Sequence, residues 1–134
     1  MTRSRTLATL AAATLATGGL ALVGTAPAQA GGSDDRVIRT GSCSQRGVWK
    51  LKAKADDGRI EVELEVDTNR TGQTFEVRLR RDGALFLSGR RTTQGPSGSF
   101  TVERRISNSP GDDVIVARAV RGSNVCRGQI TFSR

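Results

Sequence analysis

The sequence predicts an all-β domain built as a two-layer antiparallel sandwich. From Gly47 onward, apolar and polar residues alternate with a period of two, as they do in a strand with one buried face. Gly, Asp, Asn and Pro interrupt this alternation at intervals of about one strand length, and no convincing helical periodicity follows. About seven strands are therefore expected, near residues 47–55, 59–67, 74–81, 84–91, 98–106, 112–120 and 125–133.

The first thirty residues have the pattern of a secretory signal peptide. Arg3 and Arg5 precede an uncharged run rich in Ala, Leu and Thr over residues 7–23, and residues 28–30 are a small-residue cleavage motif. The run is diluted by Thr and Gly and is shorter than the roughly 20 mostly apolar residues of a spanning helix. We expect cleavage before Gly31, release into the extracellular medium and no stable membrane anchor on the mature chain.

Length and charge indicate one basic domain. Removal of 30 of the 134 residues leaves 104, a usual size for a single domain. The predicted order is a signal peptide over 1–30, an extended lead-in over 31–46 and the sandwich over 47–134. Loss of Arg3 and Arg5 reduces 21 Lys and Arg to 19 against 13 acids, so the mature net charge is +6.

Two cysteines are expected to form the one disulfide of the domain. Cys43 lies in the lead-in and Cys126 in the last predicted strand, and exported chains commonly oxidise such a pair. Closing so long a loop would stabilise the fold by at most roughly 4–5 kcal/mol in the chain-entropy description. A zinc thiolate site lacks support because two cysteines without histidine do not complete one.

The first hairpin is the strongest local prediction. Asp57-Gly58 is a favoured two-residue turn, because both of its central positions need a positive φ. The resulting register places lysines opposite glutamates on one face and apolar residues opposite each other on the second face. The expected pairs are Lys50–Glu65, Lys52–Glu63, Lys54–Glu61, Trp49–Val66, Leu51–Leu64, Ala53–Val62 and Ala55–Ile60.

The last hairpin is predicted by a turn at Gly122-Ser123. This register directs Cys126 inward and places Arg118 opposite Arg127 on the outer face. In the middle of the chain, residues 75, 77 and 79 form an apolar inner row, while residues 76, 78 and 80 are charged and point outward. The strand over 84–91 does not alternate, so its orientation stays open.

These strands are typical of an immunoglobulin-like sandwich, with a barrel as the alternative. Residues 47–52 (GVWKLK), 67–73 (DTNRTGQ) and 126–128 (CRG) resemble small secreted actinobacterial proteins of this fold, a group with no assigned function. The resemblance covers most of the mature chain and implies a fold without implying a site. In outline, the architecture is also similar to the enediyne-binding apoproteins of the neocarzinostatin type, which are acidic and carry two disulfides.

The sequence favours a domain that is not an enzyme and that needs no metal or cofactor. It contains no histidine, a common catalytic base and metal ligand. The glutamates of the first hairpin are already assigned to lysine partners. Residues 67–72 imitate the opening of an EF-hand loop, but Arg78 stands where calcium needs a bidentate glutamate.

The aromatic residues argue against sequence-specific binding of nucleic acid. Recognition of unpaired bases usually relies on exposed aromatic rings for stacking. Trp49, Phe75, Phe100 and Phe132 all fall on predicted inner rows, and only Phe86 has an uncertain orientation.

Positive charge is the remaining candidate for a function. If the third, sixth and seventh predicted strands are neighbours, one face carries Arg78, Arg80, Arg118 and Arg127. We expect this face to bind an anionic polymer of the cell envelope or an extracellular protein partner. The alternative, that these arginines only keep a secreted domain soluble, stays open.

Two further hypotheses come from other parts of the chain. The first is a small-molecule carrier with a cleft near Leu85 and Leu87. The second is a secreted protease inhibitor that presents residues 92–99 as an exposed loop.

Overall fold

The computed structural model describes residues 35–133, which form two four-stranded antiparallel sheets. The strands are β1 (Arg36–Ser42), β2 (Val48–Asp56), β3 (Arg59–Asp67), β4 (Thr74–Arg81), β5 (Ala84–Thr92), β6 (Ser99–Ser107), β7 (Asp113–Arg121) and β8 (Asn124–Phe132). One sheet has the order β1-β2-β3-β6 and the other β5-β4-β7-β8. The predicted all-β sandwich is confirmed, while the predicted signal peptide over 1–30 lies outside the described residues.

The described residues contain no helix long and apolar enough to cross a membrane.

The structure adds an eighth strand within the predicted lead-in. Strand β1 pairs with β2 from Arg36 opposite Lys54 to Ser42 opposite Val48. It is an edge strand, and Ile38 is 41% exposed. Strand β1 is held by backbone pairing with β2 and has no alternating row of buried side chains. The sequence pattern therefore gives little sign of this strand. The other seven strands lie within one residue of their predicted bounds.

Both predicted hairpin registers are confirmed. Every expected pair of the first hairpin is present, and Asp57 and Gly58 have φ values of 47° and 75°. In the last hairpin, Arg118 lies opposite Arg127, and Cys126 is buried. In each case one face must be buried, so a slip by one residue would expose the whole apolar row.

The core lies between the inner rows of the two sheets. Leu51 and Leu64 contribute from one sheet, Leu79 and Ile115 from the other, and all four are at most 1% exposed. The rings of Phe75 on β4 and Phe100 on β6 are 5.7 Å apart, which joins the sheets near one end. Burying each such side chain stabilises the fold by roughly 1.5–3 kcal/mol.

The side of the sandwich formed by β1 and β8 is closed. Cys43, just beyond β1, forms a disulfide with Cys126 on β8. The indole of Trp49 lies between two glycines, since a Cβ added to Gly41 or to Gly128 would lie 2.5 Å from a ring carbon. Glycine at both positions therefore lets a large ring fill the space between the sheets.

The opposite side, between the edge strands β5 and β6, is more open and contains a bulge. Leu79 pairs with Leu87 and Arg80 pairs with Leu85, so Phe86 is an extra residue on β5. Leu87 is consequently buried, while Leu85 is 48% exposed. This bulge explains why the alternation over 84–91 fails.

Candidate anion-binding face

Three arginines form a row across adjacent strands of one sheet. Arg78 on β4 lies opposite Arg118 on β7, which lies opposite Arg127 on β8. Neighbouring strands are about 4.8 Å apart, so the row spans about 10 Å. Arg80 lies two residues further along β4 on the same face. The predicted set of four is therefore brought together; we call the outer surface of the β5-β4-β7-β8 sheet around these four side chains the arginine face.

The buried rows of the sheet fix the direction of these side chains. On β4, the buried residues Phe75, Val77 and Leu79 alternate with exposed residues that include Arg78 and Arg80. Strands β7 and β8 alternate in the same way around their exposed arginines. Because burial of the apolar rows sets the register, the arginines have no alternative orientation that keeps the core intact.

The arginine face is not neutralised by the protein itself. Within residues 35–133, none of its four arginines forms an ion pair with a carboxylate. Arg80 donates a hydrogen bond to the carbonyl of Gly83, and Arg127 donates one to the side-chain oxygen of Gln129. Glu76 is the one acid in the outward rows of the described sheet, and it lies 3.7 Å from the guanidinium of Arg90.

The outer face of the other sheet has a different charge pattern. Lys50 lies 3.1 Å from Glu65, and Arg105 lies 2.7 Å from Asp56. Lys52 lies 2.9 Å from Glu63, and this hydrogen-bonded contact raises the pKa of its ammonium. Cations and acids thus alternate across that face and largely cancel, which leaves the arginine face as the cationic side of the sandwich.

The acidic residues of this second face do not by themselves indicate a metal site. Carboxylate oxygens of Glu61, Glu63 and Glu103 lie within 4.8 Å of one another. The ammonium of Lys52 contacts two of these residues, at 3.7 Å for Glu61 and 2.9 Å for Glu63. The ammonium of Lys52 therefore already provides a positive charge where a metal ion would otherwise sit among these carboxylates.

The EF-hand-like residues also have a structural explanation. The backbone N–H of Asn69 donates to the carboxylate of Asp67 at 2.8 Å, which closes a local turn after β3. Arg78, at position twelve of the pattern, lies in the opposite sheet. Asp67 therefore serves the turn, and the pattern is not a calcium loop.

Shallow grooves flank Arg78 on the arginine face. One, of about 180 Å³, lies between β4 and β5 and is bounded by Glu76, Ser88 and Arg90. A smaller one, of about 70 Å³, lies between Arg78 and Arg118. A larger cavity of about 550 Å³ lies at the β5–β6 edge, beside Arg90 and Arg91. The sequence pattern alone does not place these two residues at a cavity, because the packing of two edge strands from different sheets forms it.

The structure does not bring together the cleft expected of a small-molecule carrier. Leu87 is 5% exposed and Leu85 is 48% exposed, because the β5 bulge separates them. Neither leucine lines any of the three cavities described above.

Residues 92–99, the loop expected of a protease inhibitor, are anchored to the sandwich and do not protrude over their whole length. Thr93 is buried, and its hydroxyl donates to the carbonyl of Arg70. Gln94 and Ser99 form an isolated bridge that closes the turn between them. Apart from Thr92 at the end of β5, its exposed residues are confined to 94–97.

One buried carboxyl lies away from the arginine face. The side chain of Asp113 is 1% exposed, and within residues 35–133 no partner meets hydrogen-bond geometry with either of its oxygens. Burial raises the pKa of this carboxyl, while the guanidinium of Arg81, 3.6 Å away, opposes the increase. We assign this group to the interior of the fold rather than to a site.

Comparisons with protein-family models, curated proteins and solved structures found no match to this chain. By its fold and its candidate site, the protein is a disulfide-bonded β-sandwich with one cationic face.

Proposed function

We propose that this chain is a secreted, non-enzymatic immunoglobulin-like domain that binds an anionic polymer of the cell envelope or extracellular space. The row of Arg78, Arg118 and Arg127 carries the proposal. Like charges directly opposite each other on neighbouring strands destabilise a sheet. A bound polyanion would offset this repulsion, because each guanidinium can contact an anionic group and release the counterions of the polymer.

The contrast between the two outer faces supports binding over mere solubility. Arginines that served only as solubilising charge would not need to be grouped on one face. On the β1-β2-β3-β6 sheet, the charges are interspersed and paired, as for Lys52 with Glu63. On the opposite sheet, Arg78, Arg80, Arg118 and Arg127 are grouped and form no ion pair within residues 35–133, and such a group produces a field that attracts polyanions.

The immunoglobulin-like assignment rests on strand order. In the β5-β4-β7-β8 sheet, the order corresponds to C′-C-F-G of a variable-type domain. In the other sheet, β3 pairs with β6 as strand B pairs with strand E. Strand β2 takes the place of strand A, and β1 extends that edge by one strand.

Export is supported by the N-terminal pattern and by the disulfide. The bond between Cys43 and Cys126 is of the kind that persists in oxidising compartments. Secretion is tested by mass spectrometry of protein from the culture medium, where the chain should begin at Gly31. A chain retained in the cell with residues 1–30 attached would contradict this part of the proposal.

Retention on immobilised heparin and on immobilised teichoic acid tests the binding function. We expect the wild-type protein to bind both resins and to elute as salt increases. A variant with serine at positions 78, 80, 118 and 127 should elute at clearly lower salt than wild type. The loss should occur because the polymer no longer meets the grouped guanidinium charges.

A matched control removes the same charge from other surfaces. It carries serine at positions 39, 46, 59 and 104, which are exposed arginines that form no ion pair within the described chain. The control should elute close to wild type. Equal losses in both variants would show that net charge alone causes retention and would remove the proposed site.

A further inference from the structure

The cavity between β5 and β6 is a second place where two arginines lie side by side, and one of them, Arg90, lies 3.7 Å from Glu76. Its volume is about 550 Å³, within the usual range for small-ligand sites. Arg90, Arg91 and Thr92 line it from β5, and Ser99 and Phe100 line it from β6. It lies at the open edge of the sandwich, opposite the disulfide side.

Arg91 occupies an unusual position for a charged residue. It pairs with the buried Phe75, and Gly89 on the same row pairs with the buried Val77, so Arg91 belongs to the inner row of β5. Its side chain is nevertheless exposed at the edge, and it forms no ion pair in the described part of the chain. Arg91 thus places a cation at the edge of the gap between the sheets.

The guanidinium of Arg91 folds back along its own strand. One terminal nitrogen donates to the carbonyl of Arg90 at 2.8 Å. The same nitrogen lies 3.1 Å from the point where a Cβ of residue 89 would stand, so glycine at this position gives the guanidinium room. A guanidinium has five N–H donors, and most of those on Arg91 remain available to a ligand.

The rest of the lining is rich in neutral hydrogen-bonding groups. Thr92 and Ser99 carry hydroxyls that each already share one hydrogen bond, with Thr74 and with Ser97, and keep capacity for a second. Gln94 offers an amide, while the mostly buried Phe100 forms an apolar wall. Guanidinium groups recognise carboxylate and phosphate in a bidentate manner. Hydroxyl and amide groups are both donors and acceptors and can therefore pair with the hydroxyls of a sugar ring.

We propose that the β5–β6 cavity binds a single sugar unit that bears one carboxylate or phosphate, with Arg91 holding the anionic group. This inference goes beyond the proposed function, because it requires neither a polymer nor the four arginines of the arginine face. Arg90 lines both this cavity and the groove beside Arg78, so the two sites are adjacent but distinct.

Titration followed by amide NMR shifts tests the proposal. The probes are glucuronate and glucose 6-phosphate, with glucose, acetate and inorganic phosphate as controls. We expect saturating shifts at residues 90–101 with at least one acidic sugar, and at least tenfold weaker binding of glucose and of the simple anions. The two acidic sugars distinguish carboxylate from phosphate recognition.

Three variants locate the interaction. Arg91→Gln should weaken binding of the acidic sugar at least tenfold. Arg104→Gln removes the same charge from the inner row of β6 and should leave binding unchanged. The variant with serine at positions 78, 80, 118 and 127 should keep sugar binding, which separates this proposal from the polymer-binding function.

Several results would overturn the proposal. Equal binding of acetate or phosphate and of the acidic sugars would indicate an adventitious ion only. Binding that survives Arg91→Gln, or no saturable binding of either acidic sugar, would remove the site. If Arg91→Gln changes only self-association, then Arg91 serves to keep the β5 edge from pairing with other chains.

Discussion

Arg118 has a like charge on both neighbouring strands. It lies opposite Arg78 on β4 and opposite Arg127 on β8, and all three side chains are exposed. Such cross-strand repulsion costs a few tenths of a kcal/mol per pair and is screened by salt. The residue that is central to the proposed binding face is therefore also a local source of instability.

Replacing Arg118 should separate these two effects. Arg118→Gln should raise the free energy of unfolding by up to about 1 kcal/mol at low salt, and it should weaken binding to the polyanion. Chemical denaturation at 20 mM and at 1 M salt measures the first effect. Arg121→Gln, at the β7–β8 turn, is the control. A gain in stability that is equal at both salt concentrations would contradict the repulsion between the arginines.

The buried carboxyl of Asp113 is a second local source of instability. Burial raises the pKa of its carboxyl above the ordinary 3.8, so the folded chain binds this proton more tightly than the unfolded chain does. Stability contributed by this group is therefore greatest at low pH, and it is lost as the pH rises through the folded pKa.

An asparagine at position 113 should remove this cost. We expect Asp113→Asn to unfold at a higher temperature than wild type at pH 7, with the difference vanishing near pH 3. Thermal unfolding across this pH range is the measurement, with the exposed neighbour Asp112→Asn as the control. A variant that is less stable at pH 7 would show that the contact with Arg81 outweighs the burial of the charge.

At the scale of single elements, the hairpins were predictable, whereas the edge strand β1 and the bulge in β5 were not. The β2–β3 hairpin combines a favourable turn, an apolar row and paired charges, and these three local signals agree on one register. Strand β1 lacks such signals, because its partner β2 and its backbone hydrogen bonds define it. The bulge at Phe86 likewise depends on how β5 meets β4.

Of the candidate sites, the arginine face was predictable from the sequence and the β5–β6 cavity was not. Alternation on β4, β7 and β8 was sufficient to place the four arginines outward, and strand adjacency then grouped them. The β5–β6 cavity was not predictable, because it arises from the distance between two strands of different sheets. Residues such as Arg91 acquire their role only from that arrangement.

The closed side of the sandwich depends on two glycines that face one tryptophan. Since Gly41 and Gly128 both contact the indole of Trp49, the ring has little freedom to move away from an added methyl group. Gly128→Ala should therefore lower the free energy of unfolding by roughly 1–3 kcal/mol. Equilibrium denaturation measures this loss, with the exposed Thr131→Ala on the same strand as the control.

A double-mutant cycle checks the cause of that loss. In a Trp49→Ala background, Gly128→Ala should cost much less than it does in the wild-type protein. An equal cost in both backgrounds would contradict the assigned contact and would indicate an effect of the strand backbone.

At the scale of the whole molecule, the two sides and two faces of the sandwich differ. The β1–β8 side is sealed by the disulfide and Trp49, while the β5–β6 side is open and holds the largest described cavity. One outer face pairs lysines with glutamates, and the other carries four arginines that form no ion pair in the part of the chain that the structure describes. Rigidity on one side and grouped charge on one face fit a domain that presents a preformed cationic surface.

The salt dependence of binding in solution tests that account most directly. A fluorescent teichoic acid fragment would be titrated with wild-type protein and both quadruple-serine variants at several salt concentrations. If the arginine face contacts the polymer, loss of four cationic contacts should reduce the slope of log affinity against log salt by about 3. The control variant, with serine at positions 39, 46, 59 and 104, should keep the wild-type slope. Identical slopes for the face variant and wild type would contradict the claim that the grouped arginines bind the polymer.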